Sequence, residues 1–300
     1  MKVFFLGNHT VGVRTLETLL ESDQVIGVVA HPHDPEDGVD YLSVYDFARE
    51  KGLDVVRMHG RDRNLPELIH DCKPDLVWVT DYRYLLPPSV LSAAPLGTVN
   101  LHPSLLPKYR GRAPINWAIL NGEKELGLTA HFVDGGMDTG DIIAQITYNL
   151  NTDQDVADAL EILYPLYRKV TRHVLNCFRA GQVPRKAQDQ SQASAFPRRG
   201  PKDGLIDWGQ SARRIRDLVR AVAPPYPGAF SHLRHKRIKI LSAGCDTERP
   251  HIGVPGEIVG RRRNGFVVAT GKGSLLVKKA ILAEDGRQVI AEPGEILENR

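Results

Sequence analysis

Four short apolar runs, at residues 3–7, 24–31, 54–58 and 76–80, alternate with stretches of helical periodicity at 15–20, 43–50 and 65–72. Parallel strands cannot be joined by a tight turn; each pair needs a crossover, and a helix supplies it. The alternation therefore predicts an α/β fold, a Rossmann-like, mostly parallel sheet with helices on both faces. Ligands of such sheets bind beyond the carboxyl ends of the strands. The first turn, Gly7-Asn8-His9-Thr10-Val11-Gly12, lacks the G-x-G-x-x-G spacing, so a dinucleotide is not indicated.

Farther along, Val156, Leu160, Tyr164, Tyr167, Val170, Val174 and Cys177 recur at steps of three or four. They predict a long amphipathic helix over 153–180, which Pro165 should kink or split. The chain then turns polar over residues 181–202. We place the first domain at 1–185, a linker at 186–202 and a second domain at 203–300. In the second domain Ile215, Leu218, Val219 and Val222 mark a short helix. Strand-like runs follow at 238–241, 257–259, 266–269 and 275–277, separated by Gly-rich turns. A small C-terminal OB-like β-barrel is the natural reading.

No apolar run reaches the roughly 18 residues needed to span a bilayer, so no membrane partner is expected. Three scattered cysteines exclude a disulfide framework and a Cys-based zinc site, and fit a cytoplasmic location. The net charge of +3 is unevenly placed: residues 1–200 hold 21 Lys+Arg and 25 Asp+Glu, residues 201–300 hold 18 and 11. A basic second domain suits a phosphate-bearing partner, or simply a solvated face.

The chemistry concentrates in residues 98–141. Asn100 and His102 stand two apart on a predicted strand, so their side chains share one face. Imidazole moves protons near neutral pH, and a carboxamide N–H can stabilise an oxyanion, a useful pair for acyl transfer. On its own, Asn-x-His also describes a strand end with two satisfied polar groups. Asp134-Gly135-Gly136-Met137-Asp138-Thr139-Gly140-Asp141 is a glycine-laced acidic turn after an apolar strand at 128–133. Its carboxylates could orient a histidine; no His or Cys cluster accompanies it, so no metal is expected. Arg110 and Arg112 precede a helix at 115–120 and suit an anionic ligand.

The run Asn100-Leu101-His102-Pro103-Ser104-Leu105-Leu106-Pro107-Lys108-Tyr109-Arg110-Gly111 and the turn at 134–141 together resemble the signatures of the 10-formyltetrahydrofolate-dependent formyltransferases. Lys202-Asp203-Gly204-Leu205-Ile206-Asp207-Trp208 and Pro225-Tyr226-Pro227-Gly228-Ala229-Phe230 extend the resemblance to the second domain of the methionyl-tRNA and amino-sugar enzymes. The resemblance implies a catalytic set of Asn100, His102 and Asp138, with 10-formyltetrahydrofolate as co-substrate and no metal. It also implies folate contacts from Tyr84, Leu85, Leu86, Ser104, Leu105, Leu106, Pro107, Arg112, Asp134, Gly135, Gly136 and Met137.

The acceptor is not fixed by the family. Residues 31–40 carry four carboxylates and no Lys or Arg, and a polyanion would be repelled there. This loop, with residues 79–85, is similar to the enzyme acting on UDP-4-amino-4-deoxy-L-arabinose. The expectation is thus N-formylation of a nucleotide-linked amino sugar. Methionyl-tRNA is the alternative, favoured by the basic second domain with Arg261-Arg262-Arg263. A formyltetrahydrofolate hydrolase and a non-catalytic folate- or nucleotide-binding regulator are the further alternatives. The second domain could also supply a homodimer interface.

Overall fold

The computed structural model describes residues 1–32, 39, 41–58, 62, 64–246 and 253–298. The acidic positions 34, 36, 37 and 40 of the loop weighed above lie outside the described residues.

The first half runs β1 (Lys2–Gly7), α1 (His9–Leu20), β2 (Gln24–Ala30), α2 (Val44–Glu50), β3 (Val55–Arg57), α3 (Leu65–Cys72), β4 (Leu76–Thr80), α4 (Pro88–Leu91) and β5 (Thr98–His102). These five strands are parallel, in the order β3-β2-β1-β4-β5. Both faces are covered, which is why the strands read as continuous apolar runs. Alternate residues divide between the two sides. Val3 and Phe5 pack with α1 and α2 residues such as Leu16 and Ala48. Phe4 and Leu6 pack with Leu65 and Ile69 of α3.

The parallel pattern then breaks. After β6 (Arg110–Gly111) and α5 (Pro114–Leu120), β7 (Glu125–Phe132) lies antiparallel to β5, and β8 (Ile142–Asn149) lies antiparallel to β7. The β5/β7 register sets Asn100 opposite His131. Helix α6 (Val156–Arg179) begins in a capping box between Asp155 and Asp158. It is one helix, not the two that Pro165 could have produced. Pro165 lies on the exposed side, where water can satisfy the carbonyl that loses its partner. On the other side Leu163, Tyr167, Val170 and Val174 are buried and hold the helix together.

The stretch expected as a linker does not hang free. Within it β9 (Ala195–Phe196) pairs in parallel with β6. Beyond it come α7 (Ala212–Ala221), β10 (Ala229–Leu233), β11 (Lys236–Asp246), β12 (Ile258–Arg262), β13 (Gly265–Ala269) and β14 (Ser274–Leu282). The five strands form an antiparallel sheet ordered β10-β11-β14-β13-β12. The tail stitches its two edges together. Glu298 pairs with His232 of β10, while Ile258 N–H donates to Glu295 and Leu297 N–H donates to Gly256. These isolated bridges partly cover the two edge strands of the sheet.

The two halves share one continuous core, in which Trp208, Ile215 and Val219 join the cluster under α5 and α6. Polar contacts tie the seam. Asn116 Nδ2 donates to Ala221 O at 2.7 Å, and Arg220 donates to the carbonyls of Gln154 and Asn151 at 2.6 and 3.0 Å.

Candidate active site

A cleft of about 460 Å³ opens beyond the carboxyl ends of β1, β4 and β5, where the order of the sheet reverses direction. Asn100, His102 and Asp138 line it together. The strand alternation of β5 brings the first two to one face, and the turn after β7 brings the third.

His102 is 5% exposed. Its Nε2 lies 2.8 Å from the carbonyl of Tyr109. A carbonyl only accepts, so Nε2 carries a hydrogen and Nδ1 is the nitrogen left for proton exchange. Nδ1 faces Asp138 Oδ2 at 3.6 Å, close enough for ion pairing and too long for a closed hydrogen bond. The ring is therefore placed from both ends, by a carbonyl and by a carboxylate.

Asp138 is itself gripped from several sides. Gly111 N–H donates to Oδ2 at 2.9 Å. Asn100 Nδ2 stands 3.4 Å and His131 Nε2 3.5 Å from Oδ1. Burial acts to raise the Asp138 pKa, but the charge of a protonated His102 and the Gly111 N–H hydrogen bond oppose it. They hold this carboxyl well below the usual carboxylate range. Asp138 has φ +55°, as left-handed as a glycine, and such strain persists only where the surroundings over-determine it. Gly140 provides the room: a Cβ there would stand 1.9 Å from Phe132 O.

His131 was not singled out by sequence. It is 1% exposed. Its Nδ1 donates to Phe132 O at 2.8 Å, leaving Nε2 to accept from Asn100 Nδ2 at 3.1 Å. One amide hydrogen of Asn100 is thus committed to His131. The other makes the long contact to Asp138, and the residue lines the cleft. Its sequence signal was parity: His131 stands three residues before Asp134, at the end of the same apolar strand, but only the antiparallel register pairs it with Asn100. His9 and Asp81 were also missed. They follow β1 and β4, pair at 3.1 Å, and line the far wall of the cleft.

Of the expected folate contacts, Tyr84, Leu85, Leu86, Arg112, Asp134, Gly135, Gly136 and Met137 line the cleft. Leu85 and Met137 are 67% and 43% exposed, an apolar rim suited to a flat ring. Arg112 donates to Arg83 O at 3.2 Å. Burial draws its pKa below the usual guanidinium value.

Ser104, Leu105, Leu106 and Pro107 do not line the cleft. Ser104 Oγ donates to Lys108 O at 2.7 Å, and its carbonyl accepts from Thr129 Oγ1 at 2.7 Å. The Leu105 side chain lies over Gly127. Leu106 is 3% exposed, with its N–H on Thr129 and its carbonyl on Gln145. Pro107 O accepts from Ser194 N–H. Ser104, Leu105 and Leu106 bolt the turn after β5 onto β7 and β8, and Pro107 ties it to the segment before β9, so the four shape the site from behind.

Among the described residues no group of three or more His, Cys, Asp or Glu side chains is arranged to hold a metal ion. None of the described helices is long and apolar enough to cross a membrane.

Comparison with known proteins identifies the lineage. Residues 1–162 match the formyl transferase family and residues 199–293 match the formyl transferase C-terminal domain. The methionyl-tRNA formyltransferase of Desulfotalea psychrophila is 35% identical over 93% of this chain and 87% of its own length. That of Acetivibrio thermocellus is 33% identical over 97% of this chain and 95% of its own length. Among solved structures, the N-formyltransferase of Helicobacter canadensis, in complex with folinic acid and dTDP-3-aminofucose, superposes with a TM-score of 0.71. It covers 93% of this chain and 99% of that one at 20% identity, a likeness of fold.

These relatives overturn the amino-sugar expectation, which rested on one acidic loop. The physical reason lies in the cleft wall. Arg83, Arg112, Arg198 and Arg199, brought from three separate segments, line it beside Asp81, Asp134 and Asp138, so ten residues of sequence did not measure the charge an acceptor meets. The chain belongs to the formyl transferase family.

Proposed function

We propose that this protein transfers the formyl group of 10-formyltetrahydrofolate to the α-amine of methionyl-tRNA. The observation that carries the reading is the meeting of Asn100, His102 and Asp138 in one arginine-lined cleft. Near-full-length relatives of that activity support the acceptor.

The geometry supports the following roles. The neutral amine attacks the formyl carbon, and the carbonyl oxygen becomes an oxyanion. The second Nδ2 hydrogen of Asn100 meets that oxygen; one such donor is worth roughly 2.7–4 kcal/mol. As the carbon–N10 bond breaks, N10 gains a proton and the attacking nitrogen loses one. His102 Nδ1 mediates that exchange, and Asp138 stabilises its charged form. Tyr84, Leu85 and Leu86 hold the pterin, and Arg112 with residues 134–137 lines the remaining folate contacts. On this reading residues 1–185 carry the chemistry. The basic domain at 203–300 meets the phosphates of the acceptor.

The test is direct. The protein is offered 10-formyltetrahydrofolate with charged methionyl-tRNA and, separately, with uncharged tRNA. Formyl-methionyl-tRNA should accumulate in the first mixture alone. Intact methionyl-tRNA beside bound folate would refute the reading.

A further inference from the structure

The polar stretch before β9 holds a carboxamide that the mechanism has not yet used. Gln188 is 8% exposed and reaches back to the catalytic turn. Its Nε2 donates to Asp138 O at 2.8 Å and to Gly140 O at 2.7 Å. Its Oε1 accepts from Arg110 Nε and Nη2 at 3.2 and 2.6 Å. Arg110 is 7% exposed, and its Nη1 donates to Gln190 Oε1 at 3.0 Å. Among the described residues no carboxylate lies within ion-pair distance of this guanidinium. Its charge falls on the two glutamine oxygens instead.

The chemistry fixes the direction of the amide. Arg110 has only donors, so it must face Oε1, and both Nε2 hydrogens are sent to the two carbonyls. A cation on the oxygen also polarises the amide and strengthens those two bonds. The next residue along β6 is Gly111, whose N–H binds the Asp138 carboxylate. Two successive residues therefore act on Asp138, Gly111 on its side chain and Arg110, through Gln188, on its backbone. Asp138 needs such bracing, because its φ of +55° is one a β-carbon-bearing residue rarely holds.

We propose that Gln188 is a positioning residue for formyl transfer: it acts through the backbone of Asp138 to hold that carboxylate against His102. The proposal depends on Asp138 working in the transfer and not on which amine accepts the formyl group. A displacement of about 1 Å at such a site can cost about 100-fold in rate.

Gln188→Glu is the informative variant. Its carboxylate can still take Arg110, now as an ion pair, but it has no hydrogens for the carbonyls of Asp138 and Gly140. Gln188→Leu removes both sets of bonds. Each full-length variant is compared with wild type for kcat, KM for 10-formyltetrahydrofolate, thermal midpoint, and the ¹⁵N resonances of His102 in histidine-labelled protein. The expected result for Gln188→Glu is a protein that is folded at the assay temperature with a lowered midpoint, KM within about threefold, kcat per folded molecule lowered about 10- to 100-fold, and displaced His102 resonances. If Gln188→Leu does not fold, Gln188→Glu decides alone. A kcat within twofold of wild type per folded molecule, or unmoved His102 resonances, would overturn the proposal. Should wild type leave methionyl-tRNA unformylated, the acceptor reading fails, and the His102 resonances still decide the role of Gln188.

Discussion

Asp138 brings a strained backbone, a buried carboxylate and two histidines to one point, and three consequences can be measured there. Replacing it by Asn keeps the shape but removes the charge that holds the His102 imidazolium. Loss of a positioned acid–base partner costs about 10²–10⁴-fold. Asp138→Asn should fall in that range for kcat in a formyl-transfer assay, with KM for folate little changed. Asn100→Ala should lose about 10²–10³-fold in kcat, the usual cost of one oxyanion donor. The third consequence is pH dependence. The Asp138 carboxyl lies well below its unfolded value of about 3.9 when folded. Its contribution to stability is therefore complete above about pH 4 and drains away as pH falls toward the folded value. Urea midpoints of wild type and Asp138→Asn should differ clearly at about pH 5. The gap should narrow below pH 4; a gap that widens there would contradict the assignment.

At the scale of the element, the turn after β7 depends on glycine where the chain passes itself. A Cβ at Gly140 would strike Phe132 O, and one at Gly111, where φ is +92°, would stand 2.6 Å from Phe196 O. Gly140→Ala should therefore lower the thermal midpoint and kcat together, whereas Gly135→Ala, with open space around it, should leave the midpoint unchanged. Much of this local structure could be read from sequence. Apolar runs gave β1, β2 and β4 because both faces of the parallel sheet are covered, and strand parity gave Asn100 and His102 a common face. What sequence could not supply was pairing. β8 alternates buried and exposed residues and was passed over. β6 and β9 are two residues each and exist only because distant segments meet. His131, Arg110 and Gln188 were invisible as a set for the same reason, since their meaning lies in registers and contacts set by the fold. Leu105 and Leu106 mark the opposite error: a signature run contains residues that build the site as well as residues that face its ligand.

Among the described residues a continuous core runs from one face of the parallel sheet into the second domain, while a smaller core covers the other face of the sheet. The seam is polar where it is most specific. Asn116→Ala would leave the carbonyl of Ala221 without the donor it has now. A buried partner left unsatisfied costs about 1–3 kcal/mol, so the thermal midpoint should drop. The sequence placed the basic surplus in the second domain, and that charge predicts a salt-dependent affinity for a polyanionic acceptor. Raising ionic strength should raise the KM for methionyl-tRNA and leave that for 10-formyltetrahydrofolate nearly unchanged. The measurement that reaches deepest is transfer itself, followed with ¹⁴C-formyl-labelled folate and charged methionyl-tRNA, for wild type beside His102→Ala. Label should pass to the methionyl nitrogen with wild type and fall by at least about 100-fold with the variant. Equal transfer by the two proteins, or label released only as formate, would contradict the account.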